Sequence, residues 1–216
     1  MYNGNVEVGG SAHVRELSHL IISKIAVGPL SNNVYLLKCR ETGTQLMIDA
    51  AAEPANLLTL IGSDGLEYIL TTHGHPDHWQ ALGEVARQTG AMTAAPRADV
   101  ASIATPIDQP LAAGDVVRFG LCELEVITVG GHTPGCSMYL YRDPTGHEHL
   151  FSGDALFPGG VGKTMTPTDF TTLFEGVRDR VFGRLSDLTW VYPGHGNDTT
   201  LGDERPHLDE WHMRGW

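Results

Sequence analysis

Residues 72–78 read Thr72-His73-Gly74-His75-Pro76-Asp77-His78. Three histidines and an aspartate fall within six consecutive positions, in the pattern H-x-H-x-D-H. Neutral imidazole and carboxylate are the side chains that bind zinc and iron near neutral pH. Packing gives no reason for such a density of donors, so the segment points to a metal-dependent enzyme.

The segment follows the β-type run Ile69-Leu70-Thr71-Thr72, and the same arrangement recurs three times. Val126–Gly131 runs into His132, Leu150–Gly153 into Asp154, and Thr189–Gly194 into His195. Glycine permits the sharp exit and close backbone approach that a buried site needs. Strand ends also hold side chains more rigidly than free loops do. The four strand-end placements are therefore expected to gather on one rim, joining His73, His75, Asp77 and His78 to His132, Asp154 and His195. The other histidines, His13, His19, His147, His149, His207 and His212, have no comparable setting and are expected to be surface or structural. Cys136 lies four residues after His132 and is expected to be a small buried residue near the site.

The chain has 216 residues, 41% of them apolar, which suits one domain. Its expected organisation is a loose N-terminal arm at 1–16, a single domain at 17–202, and a tail at 203–216 carrying Trp211 and Trp216. A formal charge of −12 disfavours nucleic acid, whose affinity rests on Lys and Arg at phosphates. No apolar run approaches the ~18 residues that span a bilayer, and no basic-then-apolar leader opens the chain. Three cysteines without C-x-x-C spacing argue against a disulfide framework. The expected location is the cytoplasm.

Strands are expected at Ile21–Val27, Val34–Cys39, Thr44–Ile48 and Tyr68–Thr71, and in the second half at Val116–Phe119, Leu121–Val129, Met138–Tyr141, His149–Phe151 and Thr189–Tyr192. Periodicity predicts helices at Pro54–Ile61, Asp77–Thr89 and Asp169–Phe182, the last capped by Thr168. A small strand and helix should lie between Met92 and Ile103. Two β-rich halves with helices suggest sheets packed face to face under helical layers.

The segments THGHPDH, GGHTPGC, FSGDALF, GVGKT and PGHG resemble the metallo-β-lactamase superfamily, and within it the glyoxalase II-like hydrolases. The resemblance covers Leu20 to Gly196. It implies an α+β fold, a four-layer αβ/βα sandwich, with a binuclear site along one edge of the sheets. By that resemblance His73, His75 and His132 are ligands of one metal, and Asp77, His78 and His195 of the other. Asp154 is then the carboxylate bridging both. The implied cofactors are two divalent ions, zinc first, with iron or manganese as the other choices. The implied activity is hydrolysis of a thioester or related ester, a small-molecule substrate, by metal-activated hydroxide. Asp77 would also orient the water.

Lys163 would hold an anionic part of the substrate, with Trp79, Phe157 and Met165 as apolar walls; ordinary packing is the other reading of all four. Some positions depart from the family pattern. Gly74 stands where glyoxalase II often has His, Trp79-Gln80-Ala81 follows Asp77-His78, and Gly162-Lys163-Thr164 replaces Gly-Arg-Thr. Glyoxalase II proper adds a C-terminal helical domain that binds glutathione, whereas this sequence runs only 21 residues past His195. Thioester chemistry is implied; glutathione itself is not. Three rival readings use the same residues. A persulfide dioxygenase would hold one iron by His73, His132 and Asp154. Lactone or β-lactam hydrolysis is the next, with Asp154, where many zinc β-lactamases have Cys, counting against the β-lactam version. A non-enzymatic metal module is the weakest, because structural zinc sites are closed and usually Cys-rich.

Overall fold

In the computed structural model, which describes residues 2–215, alternation along Leu20–Val27 sets the first sheet. Leu20 and Ile22 point to one face of that strand, and Ile25 and Val27 end on the other. Seven strands make the sheet: β1 His13–Glu16, β2 Leu20–Val27, β3 Asn32–Cys39, β4 Gln45–Ile48, β5 Tyr68–Leu70, β6 Met92–Pro96 and β7 Gln109–Leu111. They lie side by side in sequence order, antiparallel as far as β4 and parallel from there on. Parallel neighbours need crossover connections, which α1 Pro54–Ile61 and α2 Leu82–Thr89 provide.

The second sheet holds β8 Val116–Phe119, β9 Cys122–Thr128, β10 Ser137–Arg142 and β11 Glu148–Gly153 as a meander. A small hairpin, β12 Leu156–Phe157 with β13 Gly160–Val161, follows. Then come α3 Pro167–Val177, β14 Trp190–Pro193, which joins the sheet parallel to β11, and β15 Thr199–Thr200 at its edge. Two short helices, α4 Leu201–Glu204 and α5 Leu208–Arg214, end the described chain.

Three apolar clusters define the layers. One joins the inner faces of both sheets, with Leu37, Leu46, Phe119, Tyr139, Phe151 and Tyr192. The second lies between the first sheet and the helices α1 and α2, around Leu57, Ile69, Leu82 and Val85. The third lies under α3 and α5, around Leu150, Leu173, Phe174 and Trp211. The order helix, sheet, sheet, helix is the αβ/βα sandwich that the family resemblance implies, with the sheets face to face under helices as the patterning suggests.

Several local readings need correction. The expected loose arm is pinned: His13–Glu16 pair with β2, and the Tyr2 hydroxyl donates to Asp198 at 2.6 Å. The helix expected over Asp77–Thr89 is broken. Pro76–His78 form a short 3-10 turn, and α2 starts only at Leu82, because Asp77 and His78 must both face the site while Pro76 starts a fresh turn. Thr166, not Thr168, caps α3, its hydroxyl accepting from the Asp169 amide, with Pro167 at the first helical position. The helix then widens into a π turn over Arg178–Phe182. In the tail, Trp211 is 1% exposed and meets Phe182 edge-on at 6.2 Å; Trp216 lies outside the described residues.

Candidate metal centre

The strands β5, β9, β11 and β14 end on one rim, and His73, His132, Asp154 and His195 follow them there. The ring centroids of His73 and His132 are 4.8 Å apart, and those of His75 and His132 are 4.6 Å apart. Three overlapping groups have donor atoms within 4.8 Å of one another: His73 with His75 and His132, His73 with His78 and Asp154, and Asp77 with His78 and His195. Asp154 lies between the outer two trios. Its Oδ1 is 3.5 Å from His78 Nε2, and its Oδ2 is 3.6 Å from both His132 Nε2 and His195 Nε2. All seven candidates from the sequence are brought together.

The far nitrogen of four histidines is tied to the protein. His78 Nδ1 faces Asp49 Oδ2 at 2.8 Å, His132 Nδ1 faces the Lys163 carbonyl at 2.7 Å, and His195 Nδ1 faces the Leu30 carbonyl at 3.0 Å. His73 Nδ1 faces Thr72 Oγ1 at 3.0 Å, and that hydroxyl gives its own proton to Asp49. Each partner accepts, so each Nδ1 carries a hydrogen and each Nε2 faces the site. Fixing the tautomer through the second nitrogen is how metal-binding histidines are oriented. His75 enters through Nδ1, which lies 3.1 Å from His73 Nε2.

The carboxylates are also prepared. Asn32 donates to Asp77 Oδ2 at 2.9 Å, and His195 Nε2 lies 3.5 Å from the same oxygen. Hydrogen bonding from His195 and Asn32 holds the Asp77 carboxyl well below the usual range, against its partial burial. Burial, and then the neighbouring histidines, hold His73 far below an ordinary imidazole. Burial opposes the charged form of His78 too, but Asp49, Asp154 and Asp77 outweigh it and push the group up to about 9. Three carboxylates around one imidazole call for a positive charge, which a proton or a divalent cation can supply.

His132 Nε2 and Asp154 Oδ1 are buried with no hydrogen-bond partner. An orphaned buried polar atom costs about 1–3 kcal/mol, and a cation between them would remove that cost. The donor set, imidazole nitrogens and carboxylate oxygens without thiolate, fits divalent zinc, iron or manganese. Cys136 is fully buried, with its thiol pushed up by burial, and it belongs to no donor group.

The four residues expected to touch substrate are spread differently. Phe157 comes nearest, its ring 6.5 Å from that of His195. Met165 is 85% exposed beside a groove of about 560 Å³ that runs past His132, Thr133 and Arg180. The Lys163 side chain is exposed, while its backbone carbonyl performs the task of orienting His132. Trp79 is half-buried, and its indole N–H donates to the Gly74 carbonyl at 3.0 Å. It braces the His73–His75 loop. Asn32 and Asp49 escaped the sequence reading. Asp49 did carry a signal, since it follows the run Gln45–Ile48 directly, as His73 and Asp154 follow theirs. Its φ of 59° turns the chain so that the carboxylate reaches both Thr72 and His78.

Among known proteins, a family model described as the metallo-beta-lactamase superfamily matches residues 27–195. The hydroxyacylglutathione hydrolase of Polaromonas sp. strain JS666 is 36% identical over 179 residues, covering 82% of this chain. The match spans 66% of that relative's own length. Among solved structures, ETHE1 from Myxococcus xanthus superimposes with a TM-score of 0.76 at 26% identity, over 89% of this chain and 84% of that one. TTHA1623 in a di-iron-bound form gives 0.69 at 30% identity, over 84% and 96%.

Proposed function

The chain belongs to the metallo-beta-lactamase superfamily, and on that premise we propose that it is a binuclear metallo-hydrolase acting on a small-molecule thioester or related ester. The observation that carries this reading is the pair of donor trios joined by Asp154, with inward lone pairs on His132 and Asp154 that nothing in the protein satisfies. In this reading His73, His75 and His132 would hold one ion and Asp77, His78 and His195 the other, with Asp154 within reach of both groups. Two such ions, when bound, supply a lowered pKa for water and Lewis acidity for an acyl oxygen.

The protein's own groups do the rest. Asn32 holds Asp77 so that one carboxylate oxygen stays free to orient the attacking water. Asp49, Thr72 and the carbonyls of Leu30 and Lys163 hold a hydrogen on each Nδ1 and aim each Nε2 at the site, where a divalent cation would supply the positive charge that the carboxylates around His78 call for. A thiolate leaves with little protonation, because free thiols have pKa near 8.5, and the chemistry needs no separate general acid. The groove beside His132 gives the acyl or thiol arm a place to lie, with Met165 as apolar surface and Lys163 lining an adjoining hollow that shares Met165, while Phe157 offers an apolar face beside His195. The likeness to a hydroxyacylglutathione hydrolase supports a thioester over a lactam. Three unpaired, buried cysteines suit a reducing, cytoplasmic setting.

Zinc is the first choice of ion, and the di-iron form of the relative keeps iron as the alternative. The test is metal analysis of protein purified without added metal, alongside thiol release from a panel of acyl thioesters. Two ions per chain and turnover that chelation abolishes are expected. One iron per chain, with oxygen consumed on a persulfide and no thiol released from thioesters, would overturn the proposal.

A further inference from the structure

Asp99, on no motif of the sequence, lies just past β6 and is 1% exposed. Its Oδ2 accepts from the Gly74 amide at 2.8 Å and from Thr133 Oγ1 at 2.5 Å, and its Oδ1 accepts from the Gly135 amide at 2.7 Å. Gly74 is the peptide between His73 and His75, and Thr133 follows His132. One carboxylate therefore ties the loop leaving the first sheet to the loop leaving the second, through residues adjacent in sequence to a single donor trio. On the other side of that peptide, the Gly74 carbonyl is held by Trp79.

The approach leaves no room for a side chain at Gly135 without a shift, and it is tight at Gly74. A Cβ on Gly135 would lie 2.8 Å from Asp99 Cγ, and one on Gly74 would lie 3.0 Å from Ser102 Cβ and 3.2 Å from Asp99 Cβ. At Gly74 the crowding comes from Ser102 as well as from Asp99, so a side chain there would require both to give by a few tenths of an ångström. Burying a carboxylate is costly unless donors surround it, and here two backbone amides and a hydroxyl do so. An amide in its place would set a donor against a donor at Gly74 or Gly135. Other links between the loops, Tyr139 to the Thr71 carbonyl and the Ser137 amide to the Thr72 carbonyl, lie before His73 and leave the His73–His75 spacing to Asp99.

The geometry points to Asp99 as a positioning residue, a clasp that sets the spacing of His73, His75 and His132 and acts on that trio alone. The claim rests on the metal-binding reading above, and part of its test does not need a metal. In Asp99→Asn, and more mildly in Thr133→Val, amide hydrogen exchange at Gly74 and Gly135 in the metal-free protein should speed up, while exchange in β3 and β10 stays as in the wild type. On titration with zinc, one ion should bind about 10–100-fold more weakly. The ring 15N shifts of His73, His75 and His132 should then lag in taking up the bound signature, with those of His78 and His195 unchanged.

Wild-type exchange and wild-type loading of both ions in both variants would overturn the clasp. Equal weakening at both trios would overturn its selectivity. A wild-type protein that takes up no metal, with exchange still raised in the variants, would sink the metal reading and leave the clasp supported.

Discussion

Gly194 is where the strand-end arrangement can be struck without touching a donor. A Cβ there would lie 2.2 Å from Asp154 Oδ1 and 2.8 Å from His78 Cε1. Real Cβ contacts essentially never fall below 3.0 Å, so the carboxylate or the strand must yield by at least 3.0 − 2.2 = 0.8 Å. Its φ lies outside the left-handed region, so alanine brings no backbone strain and the whole effect comes from the intrusion. A displacement near 1 Å at a catalytic constellation costs on the order of 100-fold in rate, about 2.7 kcal/mol. Gly194→Ala should therefore lose roughly 100-fold in kcat/KM for thioester hydrolysis and bind zinc about 10–100-fold more weakly. Thiol release and chelator competition measure these two quantities. Gly90→Ala is the control. It ends α2 with φ +74° and has nothing within 4 Å, so it should cost about 1 kcal/mol of stability and leave the site alone. Wild-type metal affinity and turnover in Gly194→Ala would refute the convergence of Asp154 and His78 on this strand end.

Four further outcomes are expected. Lys24→Met leaves Asp198, 1% exposed at its side chain, without its 2.6 Å cation partner, and should cost about 3–5 kcal/mol in urea unfolding; Lys24→Met with Asp198→Asn should recover a large part of it. His149, held down to about 4 by burial and then by Arg15, has a folded pKa below its unfolded value of 6.5. The unfolded chain then binds more protons between those values, so this group's stability is complete above pH 6.5 and is lost as pH falls to 4, by about 3 kcal/mol. Metal-free His149→Phe should show a flatter acid limb than the wild type, and an equally steep one would count against the assignment. Lys163→Ala keeps the carbonyl that orients His132, so zinc affinity should hold within about twofold while KM for an anionic thioester rises about fivefold, the worth of a rim charge. Finally, zinc at about 100 times its Kd stabilises by about 2.7 kcal/mol, which for a domain of this size lifts Tm by about 5–10 °C, read by scanning with and without chelator.

The seven candidate donors were legible because donor density and strand-end glycines are local signals, and a strand end is where the rim of a sandwich must be. The layers were legible for a similar reason, since period-2 and period-3.6 patterns record which face is buried. Asn32 and Asp99 left no local trace, because each acts on a loop far away in sequence and only pairing of the sheets brings them together. Asp49 and Thr166 are different, for their signals were present. Asp49 repeats the run-then-carboxylate pattern, and Pro167 at the first helical position marks Thr166 as the cap. The break at Trp79 was hidden because Leu82 and Val85 continue the apolar spacing that begins earlier. The pairing of His13–Glu16 was hidden because four residues are too few for alternation to stand out.

Two of the imidazole anchors, the carbonyls of Leu30 and Lys163, are main-chain atoms. Nearly any amino acid at positions 30 and 163 would present the same acceptor, and the Leu30 side chain is 61% exposed. The rim of the cleft is therefore decoupled from its floor. Side chains there are free to drift toward new substrates while the protonation pattern of the histidines is inherited unchanged, which makes the frame a tolerant starting point for selection or engineering of specificity.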